Sequence, residues 1–140
     1  METRNRAGGI IINSQGKVAL ANEHLWGFPR GGIEEGEKDI DAAKREIFEE
    51  VGLEDIKLIT DLGIYERPSF GMDPNSPDFF KMHIHLFLFF TEYTGELNPE
   101  DPHVKEAGWF TMKDVLTRLT DEKDRAFFIS KMEIIRKSIL

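Results

Sequence analysis

The segment from Gly31 to Leu53 joins a glycine-rich turn to a stretch of helical pattern that is crowded with carboxylates. In a helix, Glu46, Glu49 and Glu50 stand at positions i, i+3 and i+4, so their side chains share one face. Like charges at this spacing destabilise a helix by about 0.2 to 0.5 kcal/mol per pair. Because a divalent cation would neutralise them, the segment predicts a metal site on a helix.

The donor chemistry of this segment favours a hard metal ion. Its side-chain ligands are carboxylates, without Cys or His, and such ligands suit Mg²⁺ or Mn²⁺. These ions seldom sit in an all-protein cage and are usually completed by water and substrate phosphates, which indicates phosphoryl chemistry. The glycines of the turn let the backbone approach a ligand closely. Arg45 can pair with Glu49 one turn later or reach back to Glu37, and either contact would fix a carboxylate rotamer.

The spacing of these residues resembles the signature of the Nudix hydrolases at every fixed position, from Gly31 through Glu37 to the run REIFEEVGL that ends at Leu53. The preceding residues, 26 to 32, resemble the W-x-F/L-P-x-G-G approach common in that family, and Trp109 resembles its recurrent tryptophan on a late strand. The resemblance implies an α/β fold, the Nudix fold, which is an α/β/α sandwich with a central mixed β-sheet. It implies a single Nudix domain over residues 1–140 with the signature at 31–53.

The resemblance also implies a reaction, the hydrolysis of a nucleoside diphosphate linked to another moiety by attack of water on phosphorus. The oxygen ligands expected for Mg²⁺ or Mn²⁺ belong to the signature: Glu46, Glu49, Glu50 and the Gly31 carbonyl. One of the three glutamates would act as the base, and the sequence leaves open which one. Glu37 and Arg45 complete the expected catalytic set by orienting the ligands.

Substrate contacts are expected from cations outside the signature. The candidates for binding phosphate are cations, since Arg presents a fork of donors and Lys a point charge: Arg4, Arg6, Arg30, Arg67 and Lys81. The long loop 68–79 is of a length that is often functional. Aromatic residues near this loop could stack on a nucleobase: Tyr65, Phe70, Phe79 and Phe80.

The acidic loop 98–106 departs from the pattern of the family. Many members carry a further carboxylate six residues before the late tryptophan, where this chain has His103, with Glu100, Asp101 and Glu106 nearby. We interpret His103 as an exposed loop histidine, because a lone histidine in an acidic loop needs no special role. A base or metal role for this loop stays open.

Composition limits the classes of partner. The 140 residues carry a net charge of -8, so no general basic surface for extended nucleic acid is expected. The absence of cysteine excludes disulfides and thiolate chemistry. The longest nearly apolar run, residues 84–90, is too short to span a bilayer. We expect a cytoplasmic monomer or homodimer that acts on a small-molecule nucleotide, with no membrane and no extended nucleic acid as partner.

Hydrophobic periodicity predicts the order β-β-loop-α-β-β-β-α-α. Asp39 is the expected N-cap of the signature helix, which would end at Val51 with Gly52 after it. Thr111 is the expected cap of a short helix. The other predicted segments are strands at 7–12, 17–21, 56–65, 80–93 and 107–110, a loop at 23–30, and a last helix whose apolar face is Phe128, Met132, Ile135 and Ile139.

Several activities remain open within this frame. The leading prediction is a hydrolase of dinucleoside polyphosphates such as diadenosine tetraphosphate, based on the F-P-R-G-G approach and on the strand that bears Lys81. The alternatives are a pyrophosphatase of damaged nucleoside triphosphates and an RNA 5′-pyrophosphohydrolase. A non-catalytic ligand sensor with the same fold is the alternative of another class, and the intact set of acids weighs against it.

Overall fold

A computed structural model describes residues 2–69 and 73–139. This part of the chain contains seven strands, β1 Glu2–Asn13, β2 Lys17–Asn22, β3 Trp26–Gly27, β4 Arg30–Gly32, β5 Lys57–Pro68, β6 Phe80–Thr91 and β7 Glu106–Thr111. Its helices are α1 Asp39–Val51, α2 Met112–Arg118 and α3 Glu122–Lys137. No helix in these described ranges is long and apolar enough to cross a membrane.

The strands form one mixed sheet in the order β3-β2-β1-β6-β5, with β4 paired to β1 and β7 paired to β2. Strands β1 and β6 run parallel along their whole length, from Glu2 opposite Phe80 to Asn13 opposite Thr91. The other pairs are antiparallel. The predicted α/β class with a mixed sheet is therefore confirmed.

Alternation along the central strands divides the core into two layers. Ile10 and Ile12 of β1 pack in the layer that contains residues of α2 and α3, and Ile11 packs in the layer that contains residues of α1. The predicted alternation on β6 is also observed, because Met82, Ile84, Leu86 and Leu88 are buried in the first layer. The sheet thus lies between helices on both faces, as a sandwich requires.

One edge of β1 is shared by two strands, which positions the signature turn. Its residues Arg6 to Gly8 pair with β4, and Ile12 pairs with β2. The N–H of Gly9 donates to the Pro29 carbonyl over 3.1 Å. A Cβ at Gly8 would overlap the same carbonyl, so this close approach needs glycine.

The signature helix α1 differs from the prediction at its start. Asp39 is its first residue and not its N-cap, and Lys38 holds the cap position without a side-chain hydrogen bond. The carboxylate of Asp39 instead lies 2.7 Å from Nδ1 of His85. A carboxylate in the first turn still interacts favourably with the helix dipole. The C-terminal prediction is confirmed, since Gly52 takes φ 76° and donates to the Phe48 carbonyl over 2.9 Å.

Other element boundaries agree with the prediction or differ from it, and strand pairing explains one of the differences. The predicted loop 23–30 contains β3 and the first residue of β4, because Trp26 and Gly27 pair with β2. The predicted cap at Thr111 is confirmed by a bond from the Asp114 N–H of 3.1 Å. Ile139 was expected on the buried face of the last helix, but it lies beyond the end of α3 and is 41% exposed.

Candidate active site

A cavity of about 640 Å³ lies where the signature turn, α1 and the start of β6 meet. Its volume is in the range of small-molecule sites. Both carboxylates and arginines line it: the acids are Glu23, Glu46, Glu49, Glu50 and Asp101, and the cations are Arg6, Arg30 and Arg67. A chain with a net charge of -8 thus concentrates cations beside its most crowded acids.

Arg45 holds the carboxylates of α1 in place. Its Nε and Nη2 donate to the two oxygens of Glu37 over 3.0 and 2.9 Å, and its Nη1 donates to Glu46 over 2.7 Å. A longer contact of 3.5 Å reaches Glu49, so both pairings expected from the sequence occur. The Arg45 guanidinium, together with the Glu34 N–H, lowers the pKa of Glu37 to about 2. The hydrogen bonds to Glu37 raise the pKa of Arg45.

Two of the three signature glutamates are poorly compensated. Burial raises the pKa of Glu50 to about 8, although the charge of Arg30 opposes this shift. Glu50 is only 6% exposed, and its Oε1 accepts a bond of 3.3 Å from the Arg30 N–H. Burial also raises the pKa of Glu46, despite its bond to Arg45. The cavity therefore holds carboxylates whose ionised form a bound cation would stabilise.

The donor set fits a hard divalent cation. Glu46, Glu49 and Glu50 all line the cavity and offer only oxygen. The backbone of Gly31 lies directly against the Glu46 carboxylate, and a Cβ at this position would overlap it. The absence of a side chain here lets the backbone of the turn approach the carboxylate cluster, as the sequence predicted.

Three of the five cations predicted for phosphate binding reach the cavity. Arg6, Arg30 and Arg67 line it. Burial and the neighbouring charges of Arg30 and Arg4 lower the pKa of Arg6, so this end of the cavity carries positive charge without full compensation. Lys81 is not brought to the cavity, because it lies on the other face of β6 and pairs with Glu66 at 3.4 Å.

The acidic loop 98–106 is docked on the end of α1. The N–H groups of Glu100 and Asp101 both donate to the Glu49 carbonyl over 2.9 Å, which places Asp101 at the rim of the cavity. His103 is 78% exposed, as interpreted from the sequence, and its Nδ1 lies 2.9 Å from Asp101. Glu23, Asp101 and His103 bring their ligand atoms within 4.8 Å of one another.

The sequence named Arg67 as a possible phosphate contact but did not predict the buried network that holds it. Arg67 lines the cavity, and its Nε donates to Oδ1 of Asp124 over 3.0 Å. The Tyr65 hydroxyl donates to the same oxygen. These partners are 57 and 59 residues apart in the chain, so no local spacing reveals them. Of the aromatic residues expected to stack on a base, Phe80 lines the cavity, and Phe70 lies outside the described residues.

Carboxylates on a helix face, a glycine turn against them and an α/β sandwich around a mixed sheet are the features to compare with known families. The NUDIX domain model matches residues 2–131. The chain therefore belongs to the Nudix family, and the predicted membership of the Nudix hydrolases is confirmed.

Curated relatives carry a common name. RNA pyrophosphohydrolase of Bartonella henselae is 29% identical over 135 residues, covering 81% of this chain and 78% of the relative. RNA pyrophosphohydrolase of Bartonella bacilliformis is 37% identical over 71 residues, covering 42% of each chain. The match to the Bartonella bacilliformis protein and to two further Bartonella relatives spans 39% to 42% of the relative's length.

Solved structures share the fold. The dihydroneopterin triphosphate pyrophosphohydrolase of E. coli superposes with a TM-score of 0.74 at 16% identity, covering 93% of this chain and 97% of that one. The Ap4A hydrolase of C. elegans gives 0.69 at 16% identity, with 96% and 98% covered. The NUDIX domain of Shewanella oneidensis NrtR, complexed with ADP ribose, gives 0.71 at 17% identity, with 96% and 90% covered. At these identities the likeness shows the fold alone.

Proposed function

We propose that this protein is a metal-dependent pyrophosphohydrolase that cleaves a nucleoside diphosphate linked to another moiety. The observation that carries the proposal is the joint opening of Glu46, Glu49 and Glu50 into a cavity that also holds arginines. Acids that bind a cation and arginines that bind phosphate are the two parts that phosphoryl transfer needs.

Glu46, Glu49, Glu50 and the Gly31 carbonyl would hold Mg²⁺ or Mn²⁺. Such an ion, when bound, polarises phosphate oxygens and lowers the pKa of a bound water. One of the glutamates accepts a proton from the attacking water. The buried position of Glu50 protects its carboxylate from competing solvent, and its bond from the Arg30 N–H fixes one oxygen.

Arg45 and Glu37 act as positioning residues in this proposal. Arg45 joins Glu37 to Glu46 and also donates to the Gly32 carbonyl over 2.9 Å. These bonds tie the helix face to the turn, so the carboxylates keep fixed rotamers while substrate enters. Arg45 and Glu37 themselves need not touch the reacting phosphorus.

Arg6 and Arg30 would bind phosphate oxygens beyond those that the metal holds. The positive charge there is only partly compensated. Burial and the charges of Arg30 and Arg4 lower the pKa of Arg6 more than the charges of Glu46 and Glu23 raise it. This arrangement suits a polyphosphate chain longer than a diphosphate. A dinucleoside polyphosphate such as diadenosine tetraphosphate is therefore the first substrate class we propose.

An RNA 5′-pyrophosphohydrolase is the second candidate. Curated relatives of 29% to 44% identity bear that name. A 5′-triphosphate end would present the same polyphosphate to the arginines. The net charge of -8 opposes long contacts with an RNA strand, so recognition would be limited to the first nucleotides.

A substrate screen with Mg²⁺ tests both candidates. Purified protein is mixed with diadenosine tetraphosphate, oxidised nucleoside triphosphates, 5′-triphosphorylated RNA and ADP-ribose. We expect asymmetric cleavage of diadenosine tetraphosphate to ATP and AMP, with solvent oxygen in only one product. Inert diadenosine tetraphosphate beside rapid turnover of RNA would move the assignment to the second candidate. Tight binding of a ligand without turnover of any would instead favour a sensor.

Three expectations from the sequence stay predictions. These are a single Nudix domain over residues 1–140, a cytoplasmic location, and a monomeric or homodimeric state. Size-exclusion chromatography with light scattering tests the last one directly.

A further inference from the structure

Arg67 is a buried cation that lines the candidate active-site cavity. Its side chain is 0% exposed, and it lines the cavity at the end of β5 together with Ser69, Phe80 and Met82. Such a position is unusual, because arginine is rarely fully buried unless it is paired. The partners of each guanidinium nitrogen therefore indicate what this cation is for.

Two of the three nitrogens are fixed by the protein. Nε donates to Oδ1 of Asp124 over 3.0 Å, and Nη1 donates to the Pro68 carbonyl over 3.2 Å. Nη1 also lies 3.7 Å from Oδ2 of Asp121. These contacts hold the guanidinium plane in one orientation, as a recognition group requires.

Nη2 of Arg67 has no hydrogen-bond partner among the described residues, although it is buried. Nε of Arg30, which lines the same cavity, is also buried and without a hydrogen-bond partner among the described residues. Buried polar atoms in folded proteins are almost always hydrogen-bonded, so an orphaned donor at a cavity wall calls for a partner from outside the chain. Arg67 thus offers one fixed and unused donor to a ligand.

The local charge decides which kind of ligand group this donor suits. The charge of Arg67 is already compensated by the carboxylates of Asp124 and Asp121. These two anions would repel a phosphate bound at Nη2, whereas they would not repel a neutral acceptor in the same place. Arg6 lacks such compensation and lies near Arg4 and Arg30, which suits phosphate. The Arg67 end is therefore suited to the uncharged part of a nucleotide.

The residues around Arg67 and the hydrogen-bonding capacity of its guanidinium indicate which uncharged part of a nucleotide would bind there. Phe80 and Met82 give this end an apolar wall against which a flat base can lie. A guanidinium only donates hydrogen bonds, so it matches a carbonyl oxygen and mismatches an amino group. Resting on the proposed hydrolase function, we propose that Nη2 of Arg67 donates to the 6-oxo group of a purine, which makes the site selective for guanine-type bases over adenine.

Matched substrates test this on the unchanged protein. Diguanosine, diinosine and diadenosine tetraphosphates differ at the purine, and the inosine compound isolates the 6-oxo group because it lacks the 2-amino group. We expect kcat/KM for the guanosine and inosine compounds to exceed that for the adenosine compound by about tenfold or more. Equal or faster turnover of the adenosine compound would overturn the proposal.

Variants test whether Arg67 carries the preference. An amide both donates and accepts, so Arg67→Gln should reduce the preference to within about threefold, mainly through a higher KM for the oxo substrates. Lys57→Gln, at the exposed start of the same strand, is the matched control and should keep the full preference. If Arg67→Gln slows all three substrates equally, the proposal is wrong.

Two further experiments distinguish a loss of base selectivity from unfolding and from a lack of hydrolysis. Arg67→Gln leaves the buried Asp124 carboxylate without its cation, which could unfold the protein. The double variant Arg67→Gln with Asp124→Asn removes both charges and so avoids this defect. Melting temperatures of the single and the double variant show whether each is folded. Titration calorimetry with methylene-bridged analogues of GTP and ATP measures the preference without turnover. Tighter binding of the GTP analogue that disappears in the variants supports the proposal even if no hydrolysis is found, an outcome that would reject only the proposed function. Equal affinities in the unchanged protein would overturn the proposal.

Discussion

Two arginines organise the two ends of the candidate site, and they do so in different surroundings. Arg45 is 28% exposed and binds Glu37 and Glu46, which are 8 and 1 residues away in the chain. Arg67 is 0% exposed and binds Asp124, which is 57 residues away. Both hold carboxylates, but the Arg45 cluster is the more exposed of the two.

This difference in exposure predicts that the Arg45 cluster contributes mainly to the reaction and the Arg67 network mainly to the stability of the fold. Water reaches the Arg45 cluster, so a lost partner there is partly replaced by solvent. As a whole residue, Arg67 is 1% exposed, and removing it would leave Asp124 as an uncompensated buried charge. The acids of α1 can therefore be adapted for a metal and a reaction, whereas the Arg67 network must also maintain the fold between β5 and α3.

The largest expected effect is removal of the metal. Excess chelator should abolish hydrolysis, and Mg²⁺ or Mn²⁺ should restore it. The reason is that the proposed mechanism relies on the metal ion held by the acids of α1 to polarise the phosphate oxygens. Millimolar Mg²⁺ should also raise the melting temperature, since it binds only the folded site. Activity assays and thermal scans with and without chelator check this. Full turnover in excess chelator would contradict the metal-dependent mechanism.

The next effect compares the two arginines directly. Arg67→Ala should lower the free energy of unfolding by about 3 to 5 kcal/mol, the cost of breaking a buried ion pair on one side. Arg45→Ala should lower it clearly less, because its carboxylates can be hydrated. Urea unfolding of both variants at the same pH measures the difference. Equal losses would show that the exposure of the two clusters does not govern their contribution.

Substitution of the signature glutamates should affect activity more than stability. Glu50→Gln should lower kcat by about 10² or more, equivalent to about 2.7 kcal/mol, while its similar shape preserves packing. Glu46→Gln and Glu49→Gln should behave alike. Steady-state kinetics and melting temperatures are the readouts, with Glu122→Gln in the first turn of α3 as a control for the loss of one carboxylate. Near-normal turnover of Glu50→Gln would remove its assigned role.

The sequence predicted the parts of the molecule whose physical cause is local. The spacing of the glutamates on α1, the alternation along β6 and the αL glycine at position 52 depend on neighbours within a few residues. Two observed features depend on the fold instead: Arg67 meets Asp124 only when β5 packs under α3, and Asp101 reaches the cavity only because its loop binds the end of α1. The start of α1 was also decided by a distant residue, since His85 takes the Asp39 carboxylate.

Substitution of His85 gives the smallest expected effect, and its exposure lies between that of Arg45 and that of Arg67. Its side chain is 14% exposed and contacts the more exposed carboxylates of Asp39 at 2.7 Å and Asp61 at 2.8 Å. Burial opposes its charge, but the two carboxylates outweigh burial and raise its pKa above the usual value of about 6.5. Glu34 and Arg6 share the small cavity of about 350 Å³ beside it.

A folded-state pKa above the unfolded one means that the protonated form stabilises the fold. This stabilisation is fully present below about pH 6.5 and is lost as the pH rises through the folded pKa of His85. His85→Gln should therefore cost up to about 1 kcal/mol at pH 6 and less at pH 8.5. His83→Gln, on the same strand face and with Glu66 as its single carboxylate partner in the described part of the chain, should cost less at pH 6. Unfolding curves at both pH values measure this, and a His85→Gln deficit that grows with pH would mean that burial, and not the two aspartates, governs this histidine.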